Sequence, residues 1–404
     1  MSERTQVDYA RWQLTEDRRR VARFRSLLGH RRGRMLVSAH AFLRGSAPLF
    51  YRMLADEPAL AEGPAGDGWI VGDLHLENFG AYRCDTLGED DDKHLVAFDI
   101  NDFDDATPGP LRLDVLRLLC SVLLAGSELR LDGRELFGVA WALLEGHGQA
   151  LFSEAVPPPP PGAVTELIGR VAQRGRSELL ARRTETVGEH RRFVRGPRYR
   201  DLEPELDAPA RLAFADYVRS LGRDPDGKAY HIVDLAQRIA GTGSLGCVRI
   251  AVLVRGKGGP SGHWIFDLKE AGAPSSAALL DGRSTTPPTS MLPAERVLHA
   301  ARALPAQPPR MTGTARLGEL SLYGRRLAPQ EDRVLLSAIA REELRPLGRY
   351  LGALLGAAHK RAAVHPLSPW TIAEQRTLYE NASRLAGWLF ATYFQYASLD
   401  DHAT

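Results

Sequence analysis

The chain has 404 residues, 44% hydrophobic and 25% charged, which is enough for two or three cores and excludes broad disorder. Its 52 basic residues nearly balance 50 acidic ones, and a net charge of +2 excludes the strong basic excess of a dedicated nucleic-acid binder. No apolar run approaches the roughly 20 residues of a membrane span, the opening residues lack a signal-peptide core, and three scattered cysteines exclude a disulfide framework or a zinc ribbon. The expectation is a soluble, reduced, cytoplasmic protein with neither nucleic acid nor membrane as partner.

Residues 1–60 read as helical: Arg11 to Leu28 is charged with apolar residues at helical spacing, and Ala39 to Leu54 is more apolar. Asp67 to Val71 is predicted as a short strand running into Gly72. Leu95 to Phe98 is a second strand, ended by a dense acidic and Asn run, and Thr107-Pro108-Gly109-Pro110 reads as a loop. Leu111 to Ala125 and Arg134 to Ala150 are apolar helices, and the prolines at 157–161 form a stiff linker. Residues 163–222 alternate helix-like and Arg-rich stretches. Near residue 230 the texture changes. His231 to Ala240, Val248 to Val254 and His263 to Leu268 read as strands of a small antiparallel sheet. Ala294 to Leu304 is one helix, Ser321 to Leu327 a further strand, and 331–364 and 371–397 are helical again. The fold class is α+β.

Four stretches carry chemistry. Gly72-Asp73-Leu74-His75-Leu76-Glu77-Asn78 follows a strand directly. An Asp and an Asn five apart on a loop suit phosphoryl transfer, with the Asp orienting a substrate hydroxyl and the Asn holding a magnesium ion through its amide oxygen. The bland alternative is an Asx-rich loop that caps its own turns. Asp99-Ile100-Asn101-Asp102-Phe103-Asp104-Asp105 is the second stretch. Its carboxylates repel one another unless solvent or a cation intervenes, and Phe98 and Phe103 hold the run near the core, so a divalent metal is the natural partner. Glu89-Asp90-Asp91-Asp92 reads instead as a solvated turn.

Gly241-Thr242-Gly243-Ser244-Leu245-Gly246-Cys247-Val248 matches G-x-G-x-x-G-x-V. A Rossmann loop runs into a helix, whereas this one runs into Val248, Ile250, Val252 and Val254, a strand, as the nucleotide-covering loop of kinases does. Its glycines would let backbone N–H groups approach phosphate oxygens. The fourth stretch is Phe266-Asp267-Leu268-Lys269-Glu270. Only five of the basic residues are lysine, so Lys269 on the strand after the glycine loop is informative; it reads as a ligand of nucleotide phosphates, the alternative being a lysine snorkelling from a sheet edge. His75 has no second His or Cys at a metal spacing and reads as a loop brace. Arg191 to Arg200 reads as an acid-paired surface.

Together these stretches resemble the protein-kinase-like superfamily, closest to its aminoglycoside and choline phosphotransferase branch. Residues 72–78 look like that branch's GDLHxxN loop, Asp102-Phe103-Asp104-Asp105-Ala106 looks like its metal-binding segment, and Asp114 resembles the Asp that braces the loop. HAFLRGSA (40–47), GDLHLENFG (72–80), FDINDFDDATPGP (98–110), GTGSLG (241–246) and LKEA (268–271) resemble, more specifically, the bacterial family called domain of unknown function 2252. The resemblance implies a two-lobed kinase-like fold. The glycine loop and lysine follow the catalytic loop here, so the fold would be circularly permuted, and helix 344–362 resembles the one that ordinarily leads into that loop. The implied organisation is an N-terminal helical segment (1–66), a catalytic large lobe (67–227), a small β-rich nucleotide lobe (228–330) and C-terminal helices completing the large lobe (331–404).

The resemblance also implies ATP with Mg2+ or Mn2+ and a small-molecule acceptor. Asp73 and Asn78 would be catalytic, and Asn78 with Asp99 or Asp102 would hold metal. Gly241, Gly243, Ser244, Gly246 and Lys269 would hold the nucleotide. Glu295 is the expected acidic partner of Lys269, with Glu270 and the acids of 331–343 competing. A nucleotidyl transferase on the same scaffold and a non-catalytic nucleotide-binding regulator are the alternatives.

Overall fold

The computed structural model describes residues 3–84, 96–153, 158–188, 190–256, 262–281 and 291–399. The acidic run 89–92 and Pro157 lie outside them. Four helices open the chain: α1 (Glu3–Arg20), α2 (Leu28–Met35), α3 (Ala39–Gly45) and α4 (Ala47–Asp56). Ser38 starts α3 by accepting the Ala41 N–H at 3.0 Å, which satisfies one of the donors a helix start leaves unpaired.

Four short strands follow: β1 (Asp67–Ile70), β2 (Phe79–Arg83), β3 (Val96–Ile100) and β4 (Thr107–Pro110). Residues 107–110, expected as a loop, pair antiparallel with β1, Thr107 opposite Ile70 and Pro110 opposite Asp67. Pro108 and Pro110 stand two apart, so both project their missing N–H to the same side of a two-stranded ladder, where no partner strand needs it.

Then come α5 (Arg112–Leu124), α6 (Gly133–Phe152), α7 (Gly162–Ala172), α8 (Arg176–Arg183), the hairpin β5 (Thr184–Val187) and β6 (His190–Phe193), β7 (Tyr199–Arg200) and α9 (Pro204–Ser220). The β-rich stretch holds β8 (His231–Arg238), β9 (Arg249–Arg255), β10 (His263–Glu270), α10 (Ala277–Leu280), α11 (Pro293–Ala303), β11 (Thr312–Leu317) and β12 (Leu320–Leu327). The chain closes with β13 (Asp332–Arg333), α12 (Leu344–Ala362) and α13 (Ile372–Ala397). Residues 331–343, expected as helix, give β13 and two short 3-10 turns; Asp332 and Arg333 extend the β2–β3 pair instead.

One antiparallel sheet runs in the order β11-β12-β10-β9-β8-β7. Strand alternation sends Phe266 and Leu268 to one face, where they pack with Phe214 and Tyr217 of α9. Ile265 packs on the other face with Leu179, Phe193 and Tyr199. The sheet therefore takes in β7, and α8 and α9 cover it, all ahead of the boundary expected at 228. A larger core joins the remaining helices to β1–β3. Within it α12 lies against α6 at backbone distance: Gly348, Gly352 and Gly356 recur every four residues, and a Cβ on each would overlap a carbonyl of Val139, Leu143 or His147.

Candidate functional site

Asp73 stands just after β1 on a turn fixed from every side. The N–H groups of Val71 and Gly72 donate to the two oxygens of Asp114, at 2.6 and 2.9 Å, and the Tyr51 hydroxyl donates to the Gly72 carbonyl. Gly72 has φ +82°, and a Cβ there would overlap the Asp105 carbonyl, so the turn brings the acidic loop against Asp73 only because position 72 is glycine. Asp114 is itself fully buried and meets His359 Nε2 at 3.2 Å; His359 Nδ1 meets His147 Nε2 at 3.0 Å. Burial, then the neighbouring His359, hold His147 well below the ordinary histidine range, so it enters this chain neutral.

Arg117 on α5 grips Asp73. Its Nε donates to Oδ1 at 2.8 Å and its Nη2 donates to the same oxygen, while Nη2 also reaches the Leu43 carbonyl at 2.9 Å. The guanidinium is wholly buried, 5.0 Å over the Phe50 ring. Oδ2 of Asp73 has no recorded protein donor among the described residues. Burial pushes Asp73 up to about 7, the charges of Asp105 and Asp102 add to the rise, and Arg117 opposes it.

Asn78 closes the same loop: its Oδ1 accepts the His75 N–H at 3.0 Å, and its own N–H reaches the His75 carbonyl at 2.9 Å. His75 is buried edge-on to His40, with ring centroids 6.4 Å apart. Burial, then Arg44, hold it well below the ordinary range. The bracing role expected for His75 matches that neutral, interior placement.

Of the two acids expected to compete for metal, Asp99 is turned away. It is 3% exposed, and its oxygens accept the N–H groups of Ile100 (2.8 Å) and Ala306 (2.9 Å). Asp102, Asp104 and Asp105 line the cavity, and Asn101 stands with them. Asp104 forms the ion pair with Lys269, and Asp105 accepts the Ser275 N–H at 2.5 Å. Burial pushes the Lys269 ammonium down, and the charge of Asp102 opposes that. Glu295 does not meet Lys269. It is exposed at the start of α11, where its carboxylate accepts the Leu292 N–H at 2.9 Å: an acid three residues into a helix reads as an ion-pair partner and as a cap alike, and here it is the cap. The neighbouring Arg296 is the residue that matters to the site. It is buried and donates to the carbonyls of Asp104 (2.7 Å), Gly272 (2.9 Å) and Ala106, tying the acidic loop to the segment after β10.

The glycine loop is held from the start of the chain. Arg31 Nη1 donates to the Thr242 carbonyl at 2.7 Å, Arg20 Nη1 to Gly243 at 3.3 Å, and Arg34 to Gly241. Arg31 is fully buried on Asp17 at 2.7 Å, and Asp17 also accepts the Tyr396 hydroxyl at 2.6 Å. Gly246, at φ +101°, packs so closely on the end of α1 that a Cβ would overlap the Arg20 carbonyl. With the carbonyls of 241–243 engaged in this way, the N–H groups of Thr242, Gly243, Ser244 and Gly246 donate to no protein acceptor among the described residues. Beneath Lys269 on β10, Asp267 is buried between Arg249 (2.9 Å) and Arg238 (2.5 Å). Burial would raise it, but the two guanidiniums outweigh burial and hold it well below the usual carboxylate range.

These walls enclose one cavity of about 590 Å³, a size ordinary for a cofactor or substrate site. It brings together Asp73, Asn78, Asp102, Gly241, Gly243, Ser244, Gly246 and Lys269; Asp99 and Glu295 lie outside it. Sequence reasoning missed Arg117, Arg31, Arg34 and Arg296. Only Arg117 left a signal: it is the one charged residue in the stretch from Val115 to Leu124, which is apolar but for it and Ser121. Among the described residues no three His, Cys, Asp or Glu side chains gather into a metal-binding group, and no helix is long and apolar enough to cross a membrane.

Nothing among the curated proteins or the solved structures matches this chain. The family described as "uncharacterized protein conserved in bacteria", domain of unknown function 2252, matches residues 23–404. With nearly the whole chain covered, the protein belongs to that bacterial family.

Proposed function

We propose that this protein is a phosphotransferase that moves the γ-phosphoryl group of ATP to a hydroxyl of a small molecule, with magnesium or manganese, on a circularly permuted kinase-like fold. The observation that carries the reading is the loop 241–246: the carbonyls of 241–243 are tied back by arginines and the amides of 242, 243, 244 and 246 have no protein acceptor among the described residues, on the same cavity as Lys269 and Asp73. Free amides on a glycine loop are the means by which a backbone receives phosphate. Lys269 would add a cation to those phosphates once it exchanges Asp104 for them.

The residues present suit the metal. Asp102 and Asn78 offer hard oxygen donors, and one or two carboxylates with phosphate oxygens are the ligand set magnesium prefers. The bound cation would neutralise charge developing on the phosphates. Asp73 would receive the acceptor hydroxyl on Oδ2, since Arg117 occupies Oδ1. A bond then forms between the acceptor oxygen and the γ-phosphorus, the bond from that phosphorus to the β–γ bridging oxygen breaks, ADP leaves, and the hydroxyl proton passes to Asp73 and on to water. A carboxyl held near neutrality suits a group that takes and returns a proton.

The permuted reading draws support from the end of α12. Ala363 bridges Gly68 on β1 and the Val364 N–H reaches the Asp67 carbonyl at 3.1 Å, so that helix arrives at the strand entering the Asp73 turn without being joined to it in sequence. The test is calorimetry of ATP with and without magnesium, followed by incubation with a metabolite pool and mass spectrometry. Magnesium-strengthened ATP binding and a product heavier by one phosphoryl group are expected. A product carrying a nucleoside monophosphate would mean nucleotidyl transfer, and ATP binding without any product would favour the regulatory alternative.

A further inference from the structure

The wall of the cavity beside Asp73 carries a second cationic feature that phosphoryl transfer from ATP does not use. Glu77, at the end of the GDLHLEN loop, takes one guanidinium on each carboxylate oxygen. Arg44 from α3 donates to Oε1 at 2.8 Å, and Arg333 from β13 meets Oε2. The three side chains come from separate parts of the chain and all line the cavity. None belongs to the six-stranded sheet that carries the glycine loop and Lys269.

Glu77 takes only part of what these two arginines offer. A guanidinium offers five N–H groups. Arg44 makes a single side-chain hydrogen bond among the described residues, and its Nε is buried with no partner among them. Among the described residues Arg333 has one ion pair, to Glu77, and it leaves 47% of its side chain exposed. Other carboxylates near Arg44 are engaged elsewhere: Asp73 by Arg117, and Glu128 by Ser38 and His40. Two forked cations share one carboxylate on the cavity that Asp73 also lines, and forked cations suit a planar or tetrahedral anion.

We infer that Arg44 and Arg333 form the seat for an anionic group of the acceptor, so that the substrate is a hydroxyl compound bearing a carboxylate or a phosphate. The inference rests on the phosphotransferase reading above and names its substrate class. Glu77 holds one guanidinium on each of its oxygens and limits their flexibility, and the acceptor's anion takes the donors Glu77 leaves. The hydroxyl then falls to Asp73, and an uncharged polyol, lacking the anion, is not retained.

The experiment uses the full chain saturated with ADP and magnesium, so that the nucleotide region is filled, and titrates glycerol 3-phosphate, glycerate and glycerol by calorimetry. At least one anion should bind and glycerol should not. Arg333→Gln, at a half-exposed position that should not disturb folding, should weaken the anion about tenfold or more, the usual size of a lost charge-assisted hydrogen bond, with ADP affinity unchanged. Arg44→Lys should retain more anion affinity than Arg44→Gln. Failure of both anions to bind, binding indifferent to Arg333→Gln, or loss of ADP affinity in that variant would each overturn the seat. If ADP itself does not bind, the phosphotransferase reading fails separately; the same titrations on the free protein then judge the seat, and anion binding lost in Arg333→Gln would leave it standing as a binding site.

Discussion

The turn that presents Asp73 draws its supports from close by in the chain: Tyr51 lies 21 residues away, Asp114 and Arg117 42 to 44. The glycine loop opposite draws its supports from 207 to 223 residues away, through Arg34, Arg31 and Arg20. The supports of Asp73 are buried, and their bonds go to one carboxylate and one peptide turn. The supports of the loop are graded, from fully buried Arg31 to exposed Arg34. One wall is rigid through supports near in sequence, α3 and α4 among them. The other is held by α1 and α2, which couples residues 17–34 to the shape of the loop.

The largest expected effect is on the rigid wall. Asp73→Asn keeps the size and the Arg117 contact but removes the negative charge. Turnover should fall by ~10²–10⁴, the usual loss for a positioned general base, with ATP affinity little changed. A variant as active as the wild type would remove Asp73 from the chemistry. Asp114→Ala comes next. It strands two buried N–H groups and leaves His359 without its acceptor, and at ~1–3 kcal/mol for each unsatisfied donor the chain should lose about 2–6 kcal/mol in denaturant titrations. If Asp114→Ala unfolds no more easily than the wild type, the turn is not fixed as described.

The dependent wall should respond differently. Arg31→Met removes the Thr242 contact and a buried ion pair with Asp17, so stability and ATP affinity should both suffer, the latter by roughly tenfold for a charged hydrogen bond. Arg34→Met touches only an exposed contact and should weaken ATP less than Arg31→Met, with stability unchanged. Lys269→Ala should weaken ATP as well as turnover, because its proposed partner is the phosphates. Should both arginine variants bind ATP as the wild type does, the two walls would be equally self-sufficient and the contrast drawn above would be void.

The same contrast explains what could be read without coordinates. The GDLHLEN loop, the acidic run and the glycine loop are contiguous stretches whose chemistry depends on residue type and neighbours, so their residues could be named. Asp114 came only through the resemblance to the phosphotransferase branch, since on residue type alone it is one acid at the start of an apolar helix. Arg31 and Arg34 were not: in an arginine-rich chain, a cation that binds a carbonyl 211 residues away looks like any other on a helix surface. Asp99 misled because it ends a strand beside true cavity acids, and only the strand's alternation turns it toward Ala306. Glu295 misled by one position, since side chains at 295 and 296 leave the helix about 100° apart, one to cap it and one to hold the carbonyls of the acidic loop. β7 and α9 were missed as parts of the sheet's unit because two residues of strand carry no readable period.

The smallest predicted effect is a pH dependence, and it bears on how Asp73 is tuned. Arg117 binds Asp73 directly, Lys269 and Arg44 are the further cations it feels, and Asp102 and Asp105 are the anions. Burial and the two anions prevail and lift the carboxyl from its usual range to about 7. Because the folded value lies above the unfolded one, ionising Asp73 costs folding stability. Its contribution is most favourable below about pH 4, declines as the pH rises toward 7, and is flat above that. In Asp73→Asn that decline should vanish. For catalysis the sign is opposite, since the base must be ionised: kcat/KM should fall on the acid side with a midpoint near 7 in the free enzyme. A cation on Asp102 removes one of the repelling charges, so the midpoint in kcat, which reports the loaded enzyme, should lie lower than that in kcat/KM. A single midpoint shared by both profiles would mean that no metal sits beside Asp102 in the working complex. An acid limb unchanged in Asp105→Asn, which deletes the other repelling charge, would mean that the titrating group is not Asp73.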